Sequence, residues 1–237
     1  MTIREKISKL VEYSGGKVID DRYVIEPGVA LISKTVNLIP PKIKELFNLT
    51  DEEKQLAELN AKITYMNFGK TRDGYIEEIV NDRHEFSVLS NINLGFLVVG
   101  VKEETVLEFV SSIADISRQT TSRTRSADDT LYTVEEPDIQ FIDMFLDIRE
   151  SYLEKHPLLK NKDDIEKRNE FNLCQKAMGF TISMNLGNWI SYVDRKLIQD
   201  YEYEFQSICQ KIKELIKQEY LYIEFESDKE DIKKKIK

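Results

Sequence analysis

Apolar and polar positions along the chain predict a small sheet in the first half of the sequence. The run Val29–Val36 is rich in β-branched residues and predicts a core strand. Residues 86–101 show the same enrichment and predict a central strand that closes on Gly100. Between these strands, apolar residues recur at helical spacing after Asp51, the predicted N-cap. They are Leu56, Leu59, Ile63 and Met66.

The remainder of the chain is predicted to be mostly helical. Helical spacing covers residues 103–116, 138–155, 163–184 and 200–222. Few strands and several long helices predict a mixed α/β fold of the α+β type, with a small central sheet. We expect one domain over residues 1–226, followed by a charged, mobile tail over residues 227–237.

Composition and charge narrow the classes of partner. The formal net charge of the 237 residues is −9, which argues against nucleic acid or an anionic membrane as a partner. Apolar runs fall well short of the ~20 residues that a membrane span needs, and the N-terminus lacks a signal-peptide core. We therefore expect a cytoplasmic protein. Cys174 and Cys209 have no CxxC spacing and no nearby histidine, so they predict buried free thiols and no metal site.

The most distinctive stretch is Ser117–Tyr132, with the sequence SRQTTSRTRSADDTLY. It contains three arginines and seven serine or threonine residues within sixteen positions. Guanidinium groups donate paired hydrogen bonds to oxyanions, and hydroxyl groups occupy the remaining lone pairs. The composition predicts a phosphate-binding site, and a solvated connector remains the alternative.

The region from His84 to Arg123 resembles the core of the flavin-dependent thymidylate synthases. The sequence HEFSVLSN, which contains His84 and Ser87, stands where that family has a histidine-led motif. The strand that follows ends at Gly100, where the family's strand also ends. In a register without gaps, Gln119, Thr121 and Arg123 fall on positions that hold the nucleotide in the family.

A second stretch, NLGNWISYVDRKLIQDYEYEF, resembles the C-terminal run of the same family. Asn185 falls on the family's asparagine and Glu204 on its glutamate. The family's nucleotide-contacting arginine falls on Lys196, with Arg195 immediately before it. The positive charge is therefore retained, although its position or its residue type differs.

The resemblance implies a set of site residues. The implied nucleotide-binding residues are Gln119, Thr121, Ser122, Arg123 and Lys196. The implied catalytic residues, which would polarise a pyrimidine carbonyl, are Arg118 and Arg195. The implied cofactor-binding residues are His84, Ser87 and Asn185.

The resemblance also implies an activity, which is reductive methylation of dUMP to dTMP in a homotetramer. Methylene-tetrahydrofolate would donate the carbon, reduced FAD the hydride, and NADPH would reduce the flavin. One departure supports a second hypothesis, because the family's Arg-His-Arg triplet becomes Ser111-Ser112-Ile113. That hypothesis is a flavin-free, non-catalytic protein that binds a pyrimidine mononucleotide on the same scaffold. A third is an interaction module in which the arginine-rich stretch is only a solvated loop.

Overall fold

The protein has a mixed α/β fold with small sheets and helices, as predicted. The computed structural model describes residues 1–49, 51–66, 69, 71–111, 117–120, 131–133, 139–140, 144, 147, 151, 175–199 and 202–229.

Helices dominate the described C-terminal part. The α-helices are α1 Ile3–Tyr13, α2 Pro41–Leu46, α3 Gln55–Thr64, α4 Tyr75–Glu77, α5 Glu103–Ser111, α6 Leu186–Ile198 and α7 Tyr203–Glu219. A π-helical turn, Glu78–Asp82, continues α4, and a 3₁₀ turn covers Phe86–Leu89. Residues 226–229 form a further helical turn.

The strands form two sheets within the described residues. They are β1 Lys17–Ile19, β2 Tyr23–Glu26, β3 Gly28–Lys34, β4 Asn93–Val101, β5 Ser117–Thr120, β6 Tyr132–Thr133, β7 Gln175–Lys176 and β8 Met178–Asn185. Each sheet is four-stranded, with the orders β1-β2-β6-β7 and β3-β4-β8-β5. In the first sheet, β2 is antiparallel to β1 and parallel to β6, and β6 is antiparallel to β7.

The chain divides into two compact units. The first comprises Met1–Val29, Leu97–Ala114 and Arg118–Thr181, and the second comprises Ala30–Phe96, Asp115–Ser117 and Ile182–Lys237. The core of the first unit includes Val11, Val24, Val99 and Leu131. The φ of Gly100 is 79°, and a Cβ there would lie 2.7 Å from Val24 Cγ1. Glycine at this strand end thus satisfies both the backbone conformation and the close packing.

The second unit is built around Trp189 of α6. The indole Nε1 donates to the Leu94 carbonyl oxygen at 3.1 Å, and the Phe96 ring meets the indole edge-on at 4.9 Å between centroids. An apolar face of α7 is also buried, in agreement with the helical spacing predicted over residues 200–222. Its buried apolar residues are Phe205, Ile208, Cys209, Ile212 and Ile216. A membrane-spanning helix is not found in the described part of the chain.

The predicted helix over residues 163–184 is wrong for its C-terminal part. Residues 175–185 form β7 and β8, with Phe180, Ile182 and Met184 buried and the residues between them half-buried. This alternation has the period of two that a strand requires. The helix prediction for this segment is therefore wrong because the burial pattern has the period of a strand and not that of a helix.

The predicted start of α3 at Asp51 is also wrong, because the helix begins at Gln55. The Asp51 carboxylate accepts instead from the Glu53 backbone N–H at 3.1 Å, in the turn that precedes the helix. Aspartate favours such turns for the same reason that it favours N-caps, since its side chain can accept from a backbone N–H nearby.

Candidate functional site

His84 lies at a corner of the second unit where three unusual backbone conformations follow one another. The π-helical turn ends at Asp82, the φ of His84 is 55°, and the 3₁₀ turn starts at Phe86. A left-handed conformation is costly for a residue other than glycine and persists only where its surroundings hold it. π-helical turns and strained residues both concentrate at functional sites. The backbone alone therefore identifies this corner as a candidate site.

Two polar side chains of the corner are exposed. The imidazole of His84 is half exposed, with Nε2 at 3.8 Å from Glu226 Oε1 and the ring centroid 6.0 Å from that of Phe86. Ser87 is exposed on the 3₁₀ turn. An imidazole and a hydroxyl can both donate to a phosphate oxygen.

The N-terminus of α6 packs directly on this corner. The Leu186 N–H donates to the Ile92 carbonyl oxygen at 2.7 Å. A Cβ on Gly187 would lie 2.6 Å from the Phe86 carbonyl oxygen, so only glycine permits this approach. Asn185 is the N-cap, and its Oδ1 accepts from the Asn188 N–H at 2.8 Å. The amide oxygen of Asn185 is thus engaged in holding the helix end.

The last turn of α6 directs consecutive charged residues in different directions. Asp194 and Lys196 are buried, whereas Arg195 between them is exposed. The Lys196 Nζ lies 5.7 Å from the ring centroid of Tyr192 and 5.3 Å from that of Phe205, in cation–π geometry. The Arg195 guanidinium lies 5.9 Å from the centroid of Tyr192. Of the two cations, Arg195 is the one presented at the surface of the unit.

Cys209 is a buried free thiol, as predicted. Burial raises its pKa to about 12, against the opposing effect of the Lys196 charge. A thiol with so high a pKa is protonated at neutral pH and is a poor nucleophile. Cys174 lies outside the described residues.

The arginine-rich stretch is described only in part. Arg118 and Gln119 lie in β5, which is next to β8 at one edge of its sheet. Thr121, Ser122 and Arg123 lie outside the described residues, so their phosphate-binding role stays a prediction. Ser111, on the first position of the altered triplet, is exposed, and its hydroxyl donates to the Glu108 carbonyl oxygen at 3.3 Å.

Residues 220–229 also pack in this region, a role that the sequence did not reveal. Tyr220, Tyr222, Ile223 and Phe225 are all buried. The Asn81 side chain, on the π-helical turn, donates to the Tyr222 carbonyl oxygen at 2.8 Å and accepts from the Glu224 N–H at 3.1 Å. The aromatic residues of YLYIEF were the available signal, because large apolar side chains that follow one another directly after a helix indicate burial.

No metal centre can be assigned in the described ranges, since no three His, Cys, Asp or Glu side chains converge there. The sequence also contains two acidic pairs, Asp128-Asp129 and Glu135-Glu136, which lack metal-ligand spacing and lie outside those ranges.

The fold resembles that of a solved enzyme. No protein-family model matches the sequence. No curated protein matches it with significance. The crystal structure of thymidylate synthase X from Helicobacter pylori with FAD and dUMP aligns with a TM-score of 0.55 over 82% of this chain and 95% of that chain. The sequence identity is 14%, so the likeness shows a shared fold.

Proposed function

We propose that this protein binds a pyrimidine mononucleotide and modifies C5 of the pyrimidine, in the manner of a flavin-dependent thymidylate synthase. The observation that carries the proposal is the strained His84 corner packed against α6, whose last turn exposes Arg195. The shared fold with an enzyme whose crystal structure contains FAD and dUMP supports the same conclusion. The specific reaction that we propose is the conversion of dUMP to dTMP.

Each part of the region has a proposed task. His84 and Ser87 would donate hydrogen bonds to a phosphate of FAD, because both side chains are exposed on one corner. Asn185 would act through the cap that it provides to α6. When bound, reduced FAD would supply a hydride, with methylene-tetrahydrofolate as the carbon donor and NADPH as the reductant.

The nucleotide would be held by cations and hydroxyls. Arg195 is the exposed cation of α6, and its guanidinium lies over the ring of Tyr192. The buried Lys196 also contacts this ring and would hold it in place beneath Arg195. Gln119, Thr121, Ser122 and Arg123, together with Arg118, would complete the site, as the sequence resemblance implies. A guanidinium that donates to the pyrimidine carbonyl stabilises the negative charge that develops as C5 becomes nucleophilic. This chemistry needs no enzyme nucleophile, which is compatible with a buried Cys209.

The absorption spectrum of the purified protein tests the flavin part of the proposal. We expect flavin absorption, and we expect both FAD and dUMP to raise the melting temperature, because ligands that bind only the folded state stabilise it. A colourless protein whose melting temperature responds to neither ligand would refute the proposed function.

The exposed Ser111 favours one alternative, a flavin-free protein that binds nucleotide without catalysis. A serine hydroxyl that donates to its own helix cannot replace the charge of a guanidinium. The two candidates differ in the same experiment. Stabilisation by dUMP with no response to FAD would favour the alternative.

Removal of the exposed cation tests the nucleotide site. We expect Arg195→Ala to weaken dUMP binding by about tenfold or more, since hydrogen bonds to charged groups contribute ~1.5–3 kcal/mol. Isothermal calorimetry with dUMP, with and without added FAD, would measure the change. Arg72→Ala is the matched control, because Arg72 is an exposed arginine outside α6 that pairs with Glu78. Equal affinities of the Arg195→Ala variant and the wild type would remove Arg195 from the site.

We also propose assembly into a homotetramer. The predicted apolar stripe over residues 56–66 supports self-association, because Ile63 on α3 and Met66 just after it are 52% and 70% exposed. A second copy packed on this stripe would cover it. Sedimentation of the wild type and of Ile63→Glu tests the proposal, and a monomeric wild type would contradict it.

A further inference from the structure

Asp194 precedes Arg195 in the chain, and its buried carboxylate holds the C-terminal segment. Its Oδ2 accepts from the Glu226 N–H at 3.0 Å. Its Oδ1 accepts from the Ser227 N–H at 2.9 Å and from the Ser227 hydroxyl at 2.8 Å. These are the first N–H groups of the helical turn 226–229, which have no partner within that turn. The Asp194 carboxylate on α6 thus caps a turn that lies more than thirty residues later in the sequence.

The turn that Asp194 caps is firmly anchored on its other side. The buried Lys213 of α7 donates to the Ser227 hydroxyl at 2.9 Å and pairs with Asp228 Oδ1 at 2.6 Å. Lys217 pairs with Asp228 Oδ2 at 2.9 Å. Phe225 is fully buried immediately before the turn. The segment is therefore a fixed support against which Asp194 can orient its own helix.

Orientation matters at this point because α6 ends three residues after Arg195. The terminal carbonyl groups of a helix lack intrahelical partners, and helix ends fray for that reason. A buried side chain with hydrogen bonds to an adjacent element resists this fraying. The same segment also brings Glu226 to 3.8 Å from His84, so it contacts both parts of the candidate site.

We propose that Asp194 is a positioning residue for Arg195, an inference that rests on the function proposed above. By capping the 226–229 turn, it holds the last turn of α6 so that the Arg195 guanidinium is presented to the nucleotide. Asp194 itself makes no contact with the ligand.

A double-mutant cycle separates positioning from general stability. Calorimetric titrations with dUMP are made for the wild type, Asp194→Asn, Arg195→Ala and the double variant. We expect Asp194→Asn to weaken dUMP binding by about tenfold when Arg195 is present and to have no further effect when it is absent. A loss of stability alone would give the same change in affinity in both backgrounds.

The control variant is Asp228→Asn, which weakens the same segment and leaves the three hydrogen bonds of Asp194 in place. It should lower the melting temperature with little change in dUMP affinity. If Asp194→Asn does not fold, Ser227→Pro replaces it, because proline is tolerated in the first turn of a helix and removes two of those three bonds. Additive effects in the cycle, or unchanged affinity in both Asp194→Asn and Ser227→Pro, would overturn the positioning role while the nucleotide site stands. A wild type that does not bind dUMP would refute the function first, and the positioning role with it.

Discussion

Buried and exposed charges of the second unit are held in different ways. Lys62 and Glu58 of α3 are almost completely buried and form an ion pair at 3.2 Å. Lys62 also donates to the Gly69 carbonyl oxygen at 2.9 Å, and the Thr71 hydroxyl donates to Glu58. A buried pair survives only when further hydrogen bonds offset the loss of hydration, and here they do.

We expect Lys62→Met to destabilise the protein by ~3–5 kcal/mol, because it leaves the Glu58 carboxylate buried without its cation. Urea denaturation followed by circular dichroism measures the free energy of unfolding. The control is Lys34→Met, which breaks the exposed pair between Lys34 and Glu219 at 2.6 Å and should cost about 1 kcal/mol or less. Equal losses of unfolding free energy in the two variants would contradict the expectation that the buried pair contributes more to stability than the exposed pair.

The helical period of α3 was predictable from the sequence, but its buried face was not. The expected apolar face includes Ile63 and Met66, which are exposed, whereas Glu58 and Lys62 are buried. A glutamate followed four residues later by a lysine usually indicates an exposed helix face. Its burial depends on acceptors such as the Gly69 carbonyl, which the local sequence does not reveal.

At the scale of elements, the contact between α6 and the 3₁₀ turn shapes the candidate site. The carbonyl oxygen and the Cβ of Phe86 lie 2.6 and 2.9 Å from the position that a Cβ on Gly187 would take. Because the backbone oxygen cannot rotate away as a side chain does, an added methyl group must separate the two elements. His84 lies two residues before this contact, so such a shift reaches the strained corner.

We expect Gly187→Ala to cost ~1–3 kcal/mol, as overpacking does, although alanine favours helix more than glycine. It should also reduce the stabilisation by FAD, because the His84 corner moves. Thermal melts with and without FAD measure both effects. Asn188→Ala, on the exposed side of the same helix turn, is the control, and it should leave both quantities nearly unchanged. If Gly187→Ala has the melting temperature and the FAD response of the wild type, the close contact between α6 and Phe86 does not contribute to either.

At the scale of the whole chain, patterns of period and composition predicted the fold class and the helical period of α7. The strand predicted over residues 86–101 is confirmed for residues 93–101 and wrong for residues 86–89, which form a 3₁₀ turn. Strand β8 was not predicted, although Phe180, Ile182 and Met184 alternate with less buried residues. The anchoring of the C-terminal segment was also missed. Its charged residues resemble a solvated tail, and their partners Asn81, Asp194 and Lys213 are distant in sequence. The local spacing of apolar residues predicts secondary-structure elements well, but it does not predict contacts between residues that are distant in the sequence.

Anchoring of the C-terminal segment predicts a specific pH dependence of global stability. Partial burial acts to raise the pKa of Asp228, but hydrogen bonds from Lys213 and Lys217 outweigh it, so the pKa is lowered below its ordinary value of 3.8. A carboxyl group with a lower pKa in the folded state contributes stability that is fully present above its unfolded pKa. That contribution is lost as the pH falls through the folded pKa. We therefore expect the wild type to be more stable than Asp228→Asn at pH 6, and the difference to shrink below about pH 4. Urea denaturation of both proteins across this pH range measures the difference in unfolding free energy. The contributions of the other carboxylates are the same in both proteins and cancel in that difference. A difference that stays constant with pH would show that the Asp228 carboxylate is not held by its lysines.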